Sequence, residues 1–251
     1  MKRIAAPLLL FIACHSLAQD LMPCGDYECP AGGIASNIVV ERDIYVLSAN
    51  RTTKFADWAA YHVTEESIGT TRDRHWKSDP ELPSDYTLEP EDYKGAYDTL
   101  GTDRGHLVPL ASFTSHPDWE DTNYLSNITP QDKDLNRGPW LKLENAVRKY
   151  VNRHGDLHIV TGPIYYRGES MTLPGADEPH VVPGAYFKVI ADLTQNGVSI
   201  AAFVMPQDAG RSDEYCEYTA SIDDIEYMTR LDIFPALNGH IDSLLDEFGC
   251  N

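Results

Sequence analysis

Pro139-Trp140-Leu141-Lys142-Leu143-Glu144-Asn145-Ala146-Val147-Arg148-Lys149-Tyr150-Val151-Asn152-Arg153-His154-Gly155 is the strongest helical signal in the chain. Leu143, Val147, Tyr150 and Val151 recur at the spacing that sets them on one face of an α-helix. Pro139 suits the first turn, where its missing amide hydrogen is not needed, and Gly155 suits the stop. The segments around this helix read differently. Residues 36–48 read as a strand, with Ile38-Val39-Val40 and Ile44-Tyr45-Val46-Leu47 around a polar turn, and residues 55–64 as a second, partly alternating strand. Residues 74–97, rich in Pro, Asp and Tyr, read as loop. A short strand or turn is expected at 104–110 and another strand at 124–129. Core strands follow at 157–161, 186–193 and 199–205, and short helices at 223–231 and 241–248. Helices and strands mix without regular alternation, so the class is α+β, with a mixed sheet core flanked by helices.

The N-terminus bounds the compartment. Met1-Lys2-Arg3 precedes an apolar run from Ile4 to Cys14. A positive start and a short apolar core read as a signal peptide, and the run is too short for a bilayer span. Ser16-Leu17-Ala18 places cleavage after Ala18, with lipidation at Cys14 as the rival. The expected organisation is a signal peptide at 1–18 and one domain at 19–251, secreted or periplasmic. Cys24, Cys29, Cys216 and Cys250 then remain, an even number that suggests disulfides in an exported chain. Of the three pairings, Cys24–Cys29 with Cys216–Cys250 is preferred, one closing a local loop and the other tying down the C-terminus.

The charge, taken alone, argues against a polyanionic partner. The chain carries −19, and loss of Lys2 and Arg3 takes it to −21. Proteins that handle nucleic acid are usually basic, because phosphate contacts dominate affinity. The acidity is answered only if cations gather locally. Arg72, Arg74, Arg104, Arg137, Lys142, Arg148 and Lys149 fall close in sequence to the candidate site residues, while much of the acid lies at 79–92 and 208–246. An acidic body of this kind serves solubility and fits work in salty surroundings, where long-range steering is screened.

Asp103-Arg104-Gly105-His106 joins an acid, a cation, a flexible glycine and an imidazole that accepts protons near neutral pH. Asn136 supplies a neutral hard oxygen of the kind magnesium takes, although Asn is also a favoured helix N-cap. Glu144 and Arg148 share a helix face, which by spacing alone describes a surface ion pair. Arg74 and Arg104 have the fork geometry that grips phosphate. Tyr86, Tyr93, Trp119 and Trp140 have ring faces that suit bases or a core. No HExxH zinc motif, phosphate-cradling glycine loop or GxSxG signature is present, which lowers the case for a metalloprotease, a nucleotide hydrolase or an esterase.

Taken together, the chain resembles the DNA/RNA non-specific endonucleases, most closely those of the secreted Serratia type. The resemblance rests on Asp103-Arg104-Gly105-His106, on Asn123-Tyr124-Leu125-Ser126-Asn127-Ile128-Thr129-Pro130-Gln131, and on Asp134-Leu135-Asn136 with Glu144 following. Upstream it takes in Thr52-Thr53-Lys54-Phe55-Ala56-Asp57-Trp58, Tyr61-His62 and Arg74-His75-Trp76-Lys77-Ser78-Asp79-Pro80. Downstream it takes in Val160-Thr161-Gly162-Pro163 and Ala185-Tyr186-Phe187-Lys188-Val189-Ile190, so it covers nearly the whole mature chain.

The resemblance implies a ββα-metal active site and hydrolysis of single- and double-stranded DNA and RNA to 5′-phosphorylated oligonucleotides. By match to the family's motif, His106 is the general base, Asn136 the direct magnesium ligand, with manganese as a possible substitute, and Glu144 the holder of metal-bound water. Arg74 stabilises the phosphate. Asn127, Arg104 and Arg148 are supporting active-site residues, and Asp103 has a supporting place. The family's two disulfides match Cys24–Cys29 and Cys216–Cys250. Pro139 departs from the family pattern, as does the acidity. A different class of function, a catalytically inactive nucleic-acid-binding or scavenging protein, predicts damage at His106, Asn136 or Glu144, and all three are intact. Monomer and homodimer both remain open.

Overall fold

The computed structural model describes residues 24, 29–166, 171–194, 197–237 and 241–250. The signal segment and Cys14 lie outside the described residues. In chain order the strands are β1 (Ala31–Gly32), β2 (Ile38–Glu41), β3 (Val46–Ala49), β4 (Ala56–Thr64), β5 (Thr102–His106), β6 (Ile128–Asp132), β7 (Asp156–Ile164), β8 (Ala185–Thr194), β9 (Gly197–Pro206), β10 (Thr219–Ala220), β11 (Leu231–Asp232) and β12 (Ile241–Ser243). The helices are α1 (Ala96–Leu100), α2 (Lys133–Arg137), α3 (Pro139–His154) and α4 (Ile222–Thr229).

Eight strands make the central sheet, in the order β10-β9-β8-β7-β4-β3-β2 with β12 added to β9. Neighbours run antiparallel except β12, which lies parallel to β9. Alternation along the strands sends side chains to opposite faces, and both faces are apolar. One face carries Leu47, Tyr61, Ile159, Tyr186, Ile190 and Phe203, packed against Trp140, Leu143, Val147, Tyr150 and Val151 of α3. The other carries Trp58, Ala60, Val160, Phe187, Val189 and Ala202, packed against Ile225 of α4 and Ile233 and Phe234 beyond it. The helix therefore forms where the apolar stripe was read, with Pro139 in its first turn and Gly155 capping it at φ 119°.

The class is α+β, as the pattern implied. Two local expectations change. Residues 241–248 do not form a helix: Ile241–Ser243 is a strand and Leu245–Phe248 a 3-10 turn. Leu244 and Phe248 are buried as a helical spacing would have them, but pairing with Val198, Ser199 and Ile200 on β9 satisfies the backbone instead. Residues 124–129 begin as a 3-10 turn, Leu125–Asn127, and become a strand only at Ile128. Both disulfides form as paired from the sequence, Cys24–Cys29 and Cys216–Cys250. No helix among the described residues is long and apolar enough to cross a membrane.

Candidate active site

β5 and β6 form a separate two-stranded antiparallel sheet, with His106 opposite Ile128 and Asp103 opposite Gln131. β6 runs straight into α2, whose first turn is capped by Asp132 accepting from the Asp134 amide at 2.7 Å. One residue, Gly138, then separates α2 from α3. A Cβ there would lie 2.3 Å from the Asp134 carbonyl oxygen and 2.7 Å from that of Arg211, so only glycine fits the corner. Gly105 is explained differently from its sequence reading. It sits in regular strand rather than a tight bend, and a Cβ would meet Gln131 Oε1 at 2.6 Å. Two strands and a helix pair thus make a ββα unit against the main sheet.

This unit walls a cavity of about 530 Å³ lined by Arg74, Asp103, Arg104, His106, Asn136 and Glu144, six residues drawn from four separate stretches of sequence. His106 Nε2 is buried and has no hydrogen-bond partner among the described residues. Burial first, and then the Arg74 charge, hold its imidazole down to about 3, with Asn123 opposing. It is a neutral acceptor at any ordinary pH. Asn136 lies in α2 and does not cap α3; the N-cap is Gly138. Its Nδ2 donates to Asp103 Oδ2 at 2.9 Å, which commits the amide end of the side chain and leaves the carbonyl oxygen as its ligand end. Arg137 holds the same carboxylate at two points, 2.6 and 2.7 Å. Asp103 thereby has a definite place, as the anchor of Asn136.

Burial raises the Glu144 carboxyl above its ordinary value, against the pull of Lys188, Arg148 and Arg74. Lys188 is fully buried on β8. Its ammonium donates to Tyr61 Oη at 3.0 Å and lies 4.5 Å from the Trp140 ring centroid. Burial lowers it to about 8, with Glu144 pulling it back up. A buried cation therefore sits behind the cavity's carboxylate, a role that Lys188's place in the downstream motif does not disclose, because β8 is far from Glu144 along the chain.

Two predicted site residues do not line the cavity. Asn127 is fully buried, and its side chain accepts from the Val108 amide at 2.8 Å and donates to the Val108 and Thr122 carbonyls at 3.0 and 2.9 Å. It fixes the chain just past His106. Arg148 makes no ion pair with Glu144. It donates to Asn145 Oδ1 at 2.7 Å and to Ser112 Oγ at 3.4 Å, in place of a helix-face salt bridge. Arg104 lines the cavity, yet one terminal nitrogen donates to the Pro90 carbonyl at 2.8 Å, and its guanidinium lies 5.0 Å from the Tyr93 ring centroid and 5.6 Å from that of Trp76. Arg74 is the exposed arginine of the pair.

Of the seven clustered cations, Arg74, Arg104 and Arg137 reach the cavity. Lys142 turns to Glu214, and Arg72 to the Thr114 carbonyl and the Trp119 ring. Tyr93 and Trp140 are core residues, 6% and 1% exposed, and so offer no base-stacking face. Trp76, 5.3 Å from the His106 ring, and Tyr97, half-exposed beneath Arg137, line the cavity together with the edge of Tyr93. Trp76 stands in the Arg74–Pro80 motif, whereas nothing in the sequence marks Tyr97, which folding alone brings there.

The donor set suits a hard divalent cation. An Asn carbonyl oxygen and a carboxylate are hard oxygens, and few protein ligands with several waters is the usual magnesium arrangement. The His106 nitrogen beside them is a proton acceptor with nothing to accept from among the described residues.

Residues 28–239 match the model of the DNA/RNA non-specific endonuclease family. The chain is 41% identical to the nuclease of Serratia marcescens, over 97% of this chain and 92% of that protein. It is 30% identical to the mitochondrial nuclease EXOG of Homo sapiens, over 77% of this chain and 56% of that one. Its fold matches a solved structure of the EndoG/EndoGI complex with a TM-score of 0.73 at 23% identity, covering 87% of this chain and 91% of the other. A family match across most of the chain and a relative aligned nearly end to end agree with the ββα cavity: the chain belongs to the DNA/RNA non-specific endonuclease family and is a nuclease of DNA and RNA.

Proposed function

We propose that this nuclease is exported and hydrolyses phosphodiesters with His106 as general base and one cation, magnesium by donor type, held by Asn136. The observation that carries the reading is the buried, unpartnered Nε2 of His106 in a cavity shared with Asn136, Glu144 and Arg74. Bound there, the cation supplies Lewis-acid neutralisation of charge at the phosphate and the leaving 3′ oxygen. His106 takes the proton of the attacking water at Nε2. Arg74 neutralises charge on the phosphoryl oxygens as the transition state forms. The same charge has a second effect. In the free enzyme it depresses His106, and a bound phosphodiester offsets it, so His106 gains basicity when substrate is present. Glu144 orients water in the cavity, Asp103 holds the Asn136 carboxamide, and Asn127 fixes the backbone beyond His106.

Cleavage on the 3′ side of phosphorus leaves 5′-phosphorylated ends. Contacts aimed at phosphate carry little base information, so sequence preference is weak. The two disulfides fit an oxidising compartment. Plasmid DNA and ribosomal RNA are incubated with magnesium and, separately, with a chelator, and the product ends are mapped. Cleavage of both polymers with magnesium alone and 5′-phosphate ends are expected. Undiminished cleavage under the chelator overturns the metal assignment, and binding without cleavage supports an inactive scavenger instead.

A further inference from the structure

A second cluster of metal-ligating side chains stands apart from the catalytic cavity. His62 on β4 and His158 on β7 are directly opposed partners in the antiparallel ladder, and Asp156 lies two residues before His158. Side chains two apart on a strand share a face, so all three project from the same side of the sheet. That side is the one carrying Ala60 and Val160, opposite the face that packs on α3. One nitrogen or oxygen from each of the three lies within 4.8 Å of the others. His62 Nε2 and Asp156 Oδ2 are 2.5 Å apart, and the two imidazoles stack with centroids 4.2 Å apart. Both histidines are largely buried while the Asp156 side chain is 55% exposed, so the cluster has a firm floor and an open door.

We propose that His62, Asp156 and His158 bind one zinc ion in a site independent of the catalytic cation. Two imidazoles and one carboxylate, with water in the fourth position, form a common zinc set. It differs from the all-oxygen set expected at Asn136, so the two sites select different metals. Tetrahedral bonds of about 2.0–2.1 Å place ligand atoms about 3.3 Å apart. The cluster reaches that spacing by small side-chain movements, with one imidazole turning out of the stack to aim its nitrogen at the ion. The backbone need not move, because the ladder already fixes the three Cα positions. Zinc here clips β4 to β7 just after α3 ends, and thereby braces the sheet from the face opposite the active site.

The test uses the full chain carrying Asn136→Ala, which removes the ligand assigned to the catalytic cation. Metal-free protein is titrated with zinc chloride by calorimetry, and its melting temperature is followed with and without the ion. One zinc per chain at micromolar or tighter affinity is expected, with a raised melting temperature. Cobalt is expected to give the visible absorption of a four-coordinate ion. His62→Gln and Asp156→Asn in the same background are expected to weaken zinc binding by at least about ten-fold and to remove the cobalt band. Absence of micromolar zinc binding in the Asn136→Ala protein overturns the proposal. So does unchanged affinity in the two variants. Asp156 is exposed, so its substitution decides the matter even if His62→Gln fails to fold.

Discussion

Asp103 accepts a 2.9 Å hydrogen bond from the Asn136 carboxamide while the same carboxylate is held at two points by Arg137. The acid of one motif therefore sets the orientation of the proposed ligand in another. Partners that orient a metal ligand typically matter by about 10–100-fold in affinity or activity. Asp103→Ala is expected to raise the magnesium concentration needed for half-maximal cleavage by about that factor. A magnesium titration of plasmid hydrolysis measures it, and an activation curve matching the parent refutes the anchoring role.

His106 links the site to acid stability. The folded imidazole titrates at about 3, below its ordinary 6.5. The unfolded chain thus takes up this proton first as pH falls. Stability is intact above the unfolded value and is lost progressively from there down toward the folded one. His106→Asn is expected to flatten the acid side of a melting-temperature profile and to lose most turnover, with neutral-pH folding preserved. Near-parent cleavage rates from that variant count against the base assignment.

Glu144 and stability pull in opposite directions. Burial raises this carboxyl, so at neutral pH its ionised form is less favourable in the fold than in water. Glu144→Gln mimics the protonated state. It is expected to hold or raise the melting temperature while cleavage falls by about a hundred-fold, in the range of lost acid–base or charge-stabilising groups. A coupled loss of stability and activity contradicts this.

Lys188 does more than Arg148 or Arg74 to keep Glu144 ionised. Lys188→Met preserves shape and removes the charge. The carboxyl then rises further, and the acidic limb of the pH–rate profile is expected to move to higher pH. Rates measured from mildly acidic to neutral pH give the answer, and an unmoved limb excludes Lys188 from the electrostatics of the site.

Gly138 makes the corner between α2 and α3, where an added Cβ meets two carbonyl oxygens well inside contact distance. Gly138→Ala is expected to destabilise by about 1–3 kcal/mol, the usual cost of overpacking. It also displaces Asn136 from Glu144. Denaturant unfolding and a magnesium titration read the two effects separately.

Much of this protein was legible in its residues because the signals were local. Leu143, Val147, Tyr150 and Val151 announced α3, Pro139 its start, and the strand segments their buried faces. His106, Asn136, Glu144 and Arg74 stood in motifs whose order carried the family, and the cysteine count suggested disulfides in the pairing that the structure shows. Residues 241–248 misled because Leu244 and Phe248 fit a helical spacing, while pairing to β9 settled the backbone. Arg148 misled for a related reason: one helical turn from Glu144 looks like an ion pair until Ser112 and Asn145 offer nearer partners. Asp103 meeting Asn136, Lys188 lying behind Glu144, and Trp76 and Tyr97 lining the cavity all join segments far apart in the chain. Local order along the chain determined the elements and the family. Which side chains meet, and so which charges act on one another, was decided only by tertiary packing, because electrostatics depends on distance in space and burial rather than on separation in sequence.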